Sequence, residues 1–156
     1  MAVMVPSSLR FRSCQSGRVV IMRLDEVPTD PAEVPKVSQL LARSYKACGE
    51  RLLLINVLHD GLQRPNDVVL TALKAAFRAN FENYIELAVV VMPEMAGFRR
   101  ALFRSLFTGV ILALRLRGRI QSVDSVEEAL ELFHKHARID IVAARREAFL
   151  AGLHTS

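Results

Sequence analysis

The residues best suited to chemistry are His59 and Asp60, which follow a strongly apolar run, with Arg64 and Asn66 close behind them. The apolar run predicts a strand, and α/β proteins bind ligands at the carboxyl ends of such strands. This loop is therefore a candidate contact for a ligand or a partner, although Asn66 is also suited to capping the next helix. A third alternative is an enzyme that uses His59 and Asp60 for proton transfer, whose turnover His59→Ala would abolish.

Other chemical patterns are weak in this sequence. His134 and His136 are two residues apart on a predicted helix and point to different sides, which favours a polar helix end over a metal site. No glycine-rich phosphate loop and no nucleophile elbow is present. Cys14 and Cys48 lack C-x-x-C spacing, which predicts neither a disulfide nor a zinc site and favours a reducing cytoplasm. We therefore expect no catalytic residues, no metal and no cofactor.

The net charge of +5 comes mainly from arginine, which supplies 17 of the 21 basic residues. An arginine preference can reflect base composition alone, or it can indicate an acidic protein, a phosphate or an anionic lipid as partner. One run of arginines contains no acidic residue: Arg99, Arg100, Arg104, Arg115, Arg117 and Arg119. Because no nucleic-acid-binding motif accompanies this run, we expect a solvated basic face or an anionic partner, and no nucleic acid.

A transmembrane segment is not expected, because the longest strongly apolar run, Leu106 to Leu114, is about half of what a membrane span needs. The first residues, 1–8, carry too little charge for a signal peptide and predict a flexible N-terminus. These features predict a cytoplasmic protein of one domain, since 156 residues suffice to bury roughly 70% of the unfolded surface. Binding to the surface of a membrane remains an alternative.

The pattern of apolar residues predicts an α/β fold with a mostly parallel sheet that opens with an antiparallel hairpin. The hairpin strands are Leu9–Cys14 and Arg18–Leu24, with the turn at residues 15–17. Two β-branched apolar runs, Arg51–Leu58 and Ile85–Val91, predict strands that are buried on both faces. Helices alternate with the strands in the order β-β-α-β-α-β-α-β-α. The predicted helices begin near Asp30, Asn66, Ala96 and Ser125.

The C-terminal part begins with a capping box, in which Ser125 and Glu128 have the required spacing. A further helical pattern, Ile139 to Leu153, either continues the preceding helix after a bend or packs separately. Its apolar residues are Ile141, Val142, Ala144, Phe149 and Leu150.

In layout the chain resembles the anti-sigma-factor-antagonist (STAS) family, and within it the small SpoIIAA-like, STAS/Sec14-type branch. The resemblance lies in the opening hairpin, the central strand, the basic and aromatic helix residues Phe98 to Arg104, and the helix start Ser125 to Leu130. It covers about residues 9–137 and leaves 138–156 as a C-terminal helical extension. It implies a bacterial regulatory protein that acts through protein–protein association, and its Sec14-type relatives imply small hydrophobic ligand or lipid binding as the alternative.

One feature of antagonist proteins in this family is missing from the chain. They carry a phosphorylatable Ser or Thr where the loop enters the second helix. The corresponding residues here run from Arg64 to Asp67 and contain no hydroxyl. Thr71 lies one turn further on, where a hydroxyl more commonly bonds a backbone carbonyl. The phosphorylation switch is therefore not expected.

The helix from about Ala96 to about Leu116 is more apolar than one contact with a sheet requires. At 100° per residue it carries two apolar stripes. The first comprises Phe98, Leu102, Leu106, Gly109 and Ala113; the second comprises Phe103, Phe107, Val110 and Leu114. Ile111 falls on the flank of the arginine side. One stripe suffices to cover a sheet, so the other needs a separate contact.

Three contacts could cover that surplus: the C-terminal helix, a second copy of the chain, or a lipid, membrane surface or other protein. Large exposed apolar patches are uncommon on monomers. We therefore predict a homo-oligomer or a protein partner. The residues predicted to bind it are Phe103, Phe107, Val110, Leu114, Arg100 and Arg104, with His59, Asp60, Arg64 and Asn66 nearby.

Overall fold

The computed structural model describes residues 11–58, 64–92, 101, 104–105, 108–109, 111–112, 114–116 and 118–153. Its strands form one sheet in the order β1-β2-β3-β4-β5. Strands β1 and β2 are antiparallel, and the remaining neighbours are parallel. The strands are β1 (Phe11–Ser16), β2 (Val19–Leu24), β3 (Leu52–Val57), β4 (Ile85–Val91) and β5 (Ile120–Val123). The predicted α/β architecture with its opening hairpin is confirmed.

The helices are α1 (Pro35–Cys48), α2 (Asp67–Asn83), α3 (Val126–Ala137) and α4 (Ile141–Leu150), and a short 3-10 turn, Pro31–Glu33, precedes α1. Residues 101, 104, 105, 108, 109, 111 and 112 are also helical. We call these seven residues the crossover helix, because they lie between β4 and β5 in the chain.

Local signals explain where most elements begin and end. Asn66 caps α2 by accepting a hydrogen bond from Val69 N at 2.9 Å. Ser125 caps α3 through Glu128 N at 3.1 Å. The Glu128 carboxylate accepts from Asp124 N at 3.2 Å, one residue earlier than in a standard capping box. Gly49 ends α1 with φ +71°, as expected for a residue in the left-handed region.

The hairpin turn is one residue later than predicted. Ser16 pairs with Val19, so Gly17 and Arg18 form a two-residue loop in which Gly17 has φ +57°. Such short loops need positive φ, which glycine adopts without steric strain.

The sheet is covered on both faces, and adjacent strand residues alternate between them. Side chains such as Val19, Ile21, Leu53 and Val89 face α3 and α4, which contribute Phe133, Ala144, Ala148 and Leu153 to that side of the core. Their neighbours Val20, Met22 and Leu54 face α1, α2 and the end of the crossover helix, which contribute Leu41, Phe81 and Leu116. Burial of β3 and β4 on both faces explains why their sequences are continuously apolar.

The crossover helix ends earlier than the sequence indicates. Arg115 has φ +55°, Arg115 N bonds Leu112 O at 3.3 Å, and Leu116 N bonds Ile111 O at 2.9 Å. This is a Schellman ending, in which the residue in the left-handed conformation is usually glycine. Gly118 lies three residues later, in a turn with φ +83°.

Replacing Arg115 by glycine should raise the free energy of unfolding by about 0.5–1 kcal/mol, because glycine adopts positive φ without a Cβ clash. Arg115 is exposed, so little packing is lost. Urea unfolding followed by circular dichroism measures the change. The matched control is Arg78→Gly in the exposed middle of α2, which should lower stability by about 1 kcal/mol. Destabilisation by both substitutions would contradict the assigned helix end.

Candidate functional site

The structure describes only part of the predicted loop site. His59 and Asp60 lie outside the described residues. Arg64 is exposed and lies 3.6 Å from the Asp67 carboxylate. Asn66 is used within the fold: its Oδ1 caps α2, and its Nδ2 donates to Thr29 O at 3.3 Å. These contacts hold the entry of α2 against the segment before α1 and do not by themselves form a ligand site.

Most residues predicted to contact a partner also lie outside the described part of the chain, namely Arg100, Phe103, Phe107 and Val110. Their assignment stays a prediction. Arg104 is exposed, and Leu114 is half-buried against the core beneath α1 and α2. Part of the Leu114 side chain therefore packs inside the domain.

The crossover helix is rotated relative to the expected orientation. Ile111, assigned to the arginine flank, packs against the core, whereas Gly109, from the first apolar stripe, is exposed. The Schellman ending gives the physical reason, because the side chains of the two residues joined by its longer hydrogen bond, Ile111 and Leu116, usually contact each other. Leu116 is 5% exposed and fixed on the sheet, so Ile111, its bonding partner, must face the same way.

The outer side of the crossover helix is lined by small residues around one large apolar side chain. Leu112 is 65% exposed. It lies beside the exposed residues Ala101, Ser105 and Gly109. These positions follow three- and four-residue steps, so they share one side of the helix. We call these four residues the outer face.

A cavity of about 200 Å³ lies on the inner side of the crossover helix, beside the carboxyl end of β4 and the first three residues of β5. Its apolar lining consists of Val90, Met92, Ile111 and Ile120. Its polar lining consists of Arg104, Thr108, Gln121 and Ser122. Sequence reasoning did not find this cavity, because Gln121 and Ser122 carry no motif and meet Arg104 only in the folded chain.

The C-terminal helix does not cover the crossover helix. Helix α4 buries Ala144 and Ala148 on the sheet face shared with α3, together with Leu153 after its end, and Ile111 and Leu116 pack on the opposite face. The sheet therefore separates α4 from the described residues of the crossover helix. The predicted apolar side of α4 was wrong in part, since Val142, Phe149 and Leu150 are 64–71% exposed.

A network of arginines that the sequence did not reveal lies at the amino end of the parallel strands. Arg119 Nη2 donates to Phe81 O at 2.9 Å and to Ile85 O at 2.6 Å. Arg51 also donates to Phe81 O, and to Ile85 O at 3.1 Å. The carbonyl of Phe81 belongs to the last turn of α2, where helix carbonyls lack intrahelical partners and a positive charge is favourable. Arg119 was predicted to lie in a solvated basic run, but its guanidinium instead binds backbone carbonyls at the end of α2 and the start of β4.

Glu86 on β4 joins this network to α3. Its carboxylate lies 2.8 Å from Arg18 Nη2 and 3.0 Å from His136 Nε2. Burial by itself would raise the pKa of Glu86, but the hydrogen bond from His136 and the charge of Arg18 outweigh it, and the pKa is lowered. Glu86 therefore stays ionised at neutral pH and connects the starts of β2 and β4 to the end of α3.

The remaining candidates for reactivity are engaged in the fold. Both cysteines are free thiols. Burial, with a contribution from the charge of Glu147, raises the pKa of Cys14 to about 11, so almost none of it is thiolate at neutral pH. His134 Nδ1 lies 3.1 Å from Ile139 O. Within the described ranges, no three His, Cys, Asp or Glu residues are grouped closely enough to hold a metal ion.

Comparison of the chain with known protein-family models, with curated proteins and with solved structures finds no match. Among the residues that the structure describes, no helix has the length and apolar character needed to cross a membrane.

Proposed function

We propose that this chain is a non-enzymatic regulatory protein of STAS-like type that acts by association, in the first place with a second copy of itself. The working surface is the outer face of the crossover helix. The observation that carries the proposal is the position of α4 on the opposite side of the sheet, which leaves the outer face without that cover.

The STAS-like part of the proposal is supported by the element order. An antiparallel hairpin opens a sheet that continues with parallel strands β2 to β5 in sequential order. The central strand Ile85–Val91 and the capped start of α3 at Ser125, two of the features on which the resemblance rests, add support to it. A resemblance in layout does not fix function, so the association surface carries the functional part.

The chemistry of the outer face suits association of helices. Small side chains at Ala101, Ser105 and Gly109 let a second helix approach closely, and Leu112 offers one large apolar contact. Arg104 at the margin provides charge without interrupting the apolar strip. Interfaces favour arginine beside apolar groups and place the charge at their rim.

The proposal assigns no reaction, because four polar groups that could take part in one are held by structural contacts. Arg51 and Arg119 bind the last carbonyls of α2, Asn66 caps the same helix, and Glu86 pairs with Arg18 and His136. An enzyme using His59 and Asp60 would need turnover that His59→Ala abolishes, and the proposal predicts none.

Leu112→Ser should raise the dissociation constant of the oligomer by at least about 30-fold, the effect of losing a central contact of about 2 kcal/mol. Multi-angle light scattering over a concentration series measures it as a fall in mass towards that of one chain. Leu112 is 65% exposed, so the folded state should tolerate serine, which circular dichroism checks.

The matched control is Leu150→Ser, which removes an equally exposed leucine from α4 on the opposite face of the sheet. It should leave the oligomer mass unchanged. If Leu150→Ser dissociates the oligomer and Leu112→Ser does not, association uses α4. If the wild-type chain stays monomeric at the highest concentrations, self-association is wrong.

A second candidate function, binding of a small hydrophobic ligand or lipid, is favoured by the cavity under the crossover helix. Its volume of about 200 Å³ lies below the roughly 300–1,000 Å³ typical of sites for larger ligands. This favours a small ligand over a membrane lipid at this place. Native mass spectrometry of freshly purified protein separates the two candidates. A small molecule that co-purifies with the protein supports ligand binding, and an even-numbered oligomer without added mass supports association.

A further inference from the structure

We propose that the cavity beneath the crossover helix is a binding site for a small amphipathic carboxylate, such as a short-chain fatty acid. The inference deepens the ligand-binding candidate, and it shares Arg104 with the margin of the proposed association surface. It rests on the division of the lining into an apolar set and a polar set that includes one cation.

The apolar lining comes from three secondary-structure elements. Val90 and Met92 are 5% and 1% exposed at the end of β4, and Ile111 and Ile120 complete the apolar part from the crossover helix and β5. The space of about 200 Å³ between these side chains is open to solvent and gives an apolar ligand a surface to contact.

The polar lining supplies a cation and uncharged hydrogen-bonding groups. Arg104 forms no ion pair with any carboxylate of the described residues, and its guanidinium can donate two parallel hydrogen bonds to a carboxylate. The Thr108 hydroxyl bonds its own helix through Arg104 O at 2.8 Å. Gln121 and Ser122 lie on β5 and remain suitable for contact with the second carboxylate oxygen or with water.

The position in the fold agrees with ligand binding. The cavity lies at the carboxyl end of β4, next to its parallel neighbour β5, and α/β sheets usually bind ligands at the carboxyl ends of their strands. On the adjacent strand, Asn56 pairs in register with Val90, and its Oδ1 is buried without a hydrogen-bond donor from the described residues. Buried amide oxygens are normally satisfied, so this end of the sheet has unused polar capacity beside the cavity.

The volume limits the size of the ligand. At about 30 Å³ for each water, the space corresponds to roughly seven waters, or a ligand of about seven to ten non-hydrogen atoms. Hexanoate fits this limit and carries a carboxylate, and 1-hexanol has the same chain without the charge. Because the ligand is small, the dissociation constant should be on the order of 1 mM.

Titration of the full chain with hexanoate, followed by nuclear magnetic resonance of the backbone amides, tests the inference. Saturable shifts should centre on β4, β5 and the crossover helix. Arg104→Gln should weaken hexanoate binding by about tenfold, the usual effect of losing a charge-assisted hydrogen bond. Arg78→Gln, an equally solvent-facing arginine on α2, should leave binding unchanged. Ser122→Phe fills the cavity from the exposed edge strand and should abolish binding in a folded protein.

The possible outcomes test three parts of the proposal: the preference for a carboxylate, the cavity as a binding site and the role of Arg104. Equal affinity for hexanol and hexanoate would refute the carboxylate assignment and leave a neutral apolar site. Absence of saturable binding by either probe would refute the cavity as a ligand site, while the oligomer mass of the same sample tests association separately. Equal weakening by Arg104→Gln and Arg78→Gln would also overturn the role of Arg104.

Discussion

Replacing Arg119 by methionine should lower the free energy of unfolding by about 2–4 kcal/mol, because the substitution removes three hydrogen bonds from a charged donor. The guanidinium donates to Phe81 O, Ile85 O and Glu86 O at 2.9, 2.6 and 3.3 Å. It also lies 5.1 Å from the centre of the Phe81 ring, so a cation–π contact is lost. Methionine keeps an apolar stem over the ring, which limits the change to the charged head.

The expected loss follows from the sequence of α2, whose last turn contains no basic residue of its own. Arg51 and Arg119 supply that charge from the residues just before β3 and β5. The last turn of α2 is therefore stabilised only when the sheet is assembled. Folding of the helix and of the sheet should be cooperative for this reason.

Urea unfolding of Arg119→Met and of the control Arg78→Met measures the effect. Arg78 is exposed in the middle of α2, so its replacement should change stability by less than about 0.5 kcal/mol. Arg51→Met together with Arg119→Met should cost more than the sum of the single changes, because each arginine alone can still satisfy the shared carbonyls. Equal stability of Arg119→Met and Arg78→Met would contradict the stabilising role of Arg119.

Replacing Leu153 by alanine should lower the free energy of unfolding by about 2–5 kcal/mol, the usual cost of truncating a buried leucine. Leu153 is 1% exposed and packs with Ala144 and Ala148 on the face of the sheet shared with α3. Its N–H donates to Ala148 O at 2.9 Å, which holds the chain after α4 against the core. Gly152 has φ +69° and makes this turn without steric strain.

The control for Leu153 is Leu150→Ala, the same change three residues earlier at a side chain that is 71% exposed. It should change stability by less than about 0.5 kcal/mol. Differential scanning calorimetry of the two variants decides how α4 faces the sheet. A larger loss for Leu150→Ala than for Leu153→Ala would contradict the assigned orientation of α4.

The sequence by itself determined the order of the elements and most of their ends. Capping residues act within a few positions of the chain, so the helix starts at Asn66 and Ser125 were predicted and are confirmed. The start predicted near Asp30 was wrong in part, because Asp30 caps only the short 3-10 turn and α1 begins at Pro35. The apolar runs at Leu52–Val57 and Ile85–Val91 predicted strands buried on both faces, and both are confirmed. The end of the crossover helix was misread, because Arg115 adopts a conformation that glycine usually takes.

Tertiary structure alone decided which side of each late helix is buried. The crossover helix and α4 each have apolar residues on more than one side, so the periodicity of the sequence could not show which side is buried. Anchors outside the regular helix made the choice: Leu116 fixes Ile111 on one face of the sheet, and Leu153 fixes α4 on the other. The same is true of Arg104 and Ser122, which are distant in sequence and line one cavity only because parallel pairing brings β5 beside β4.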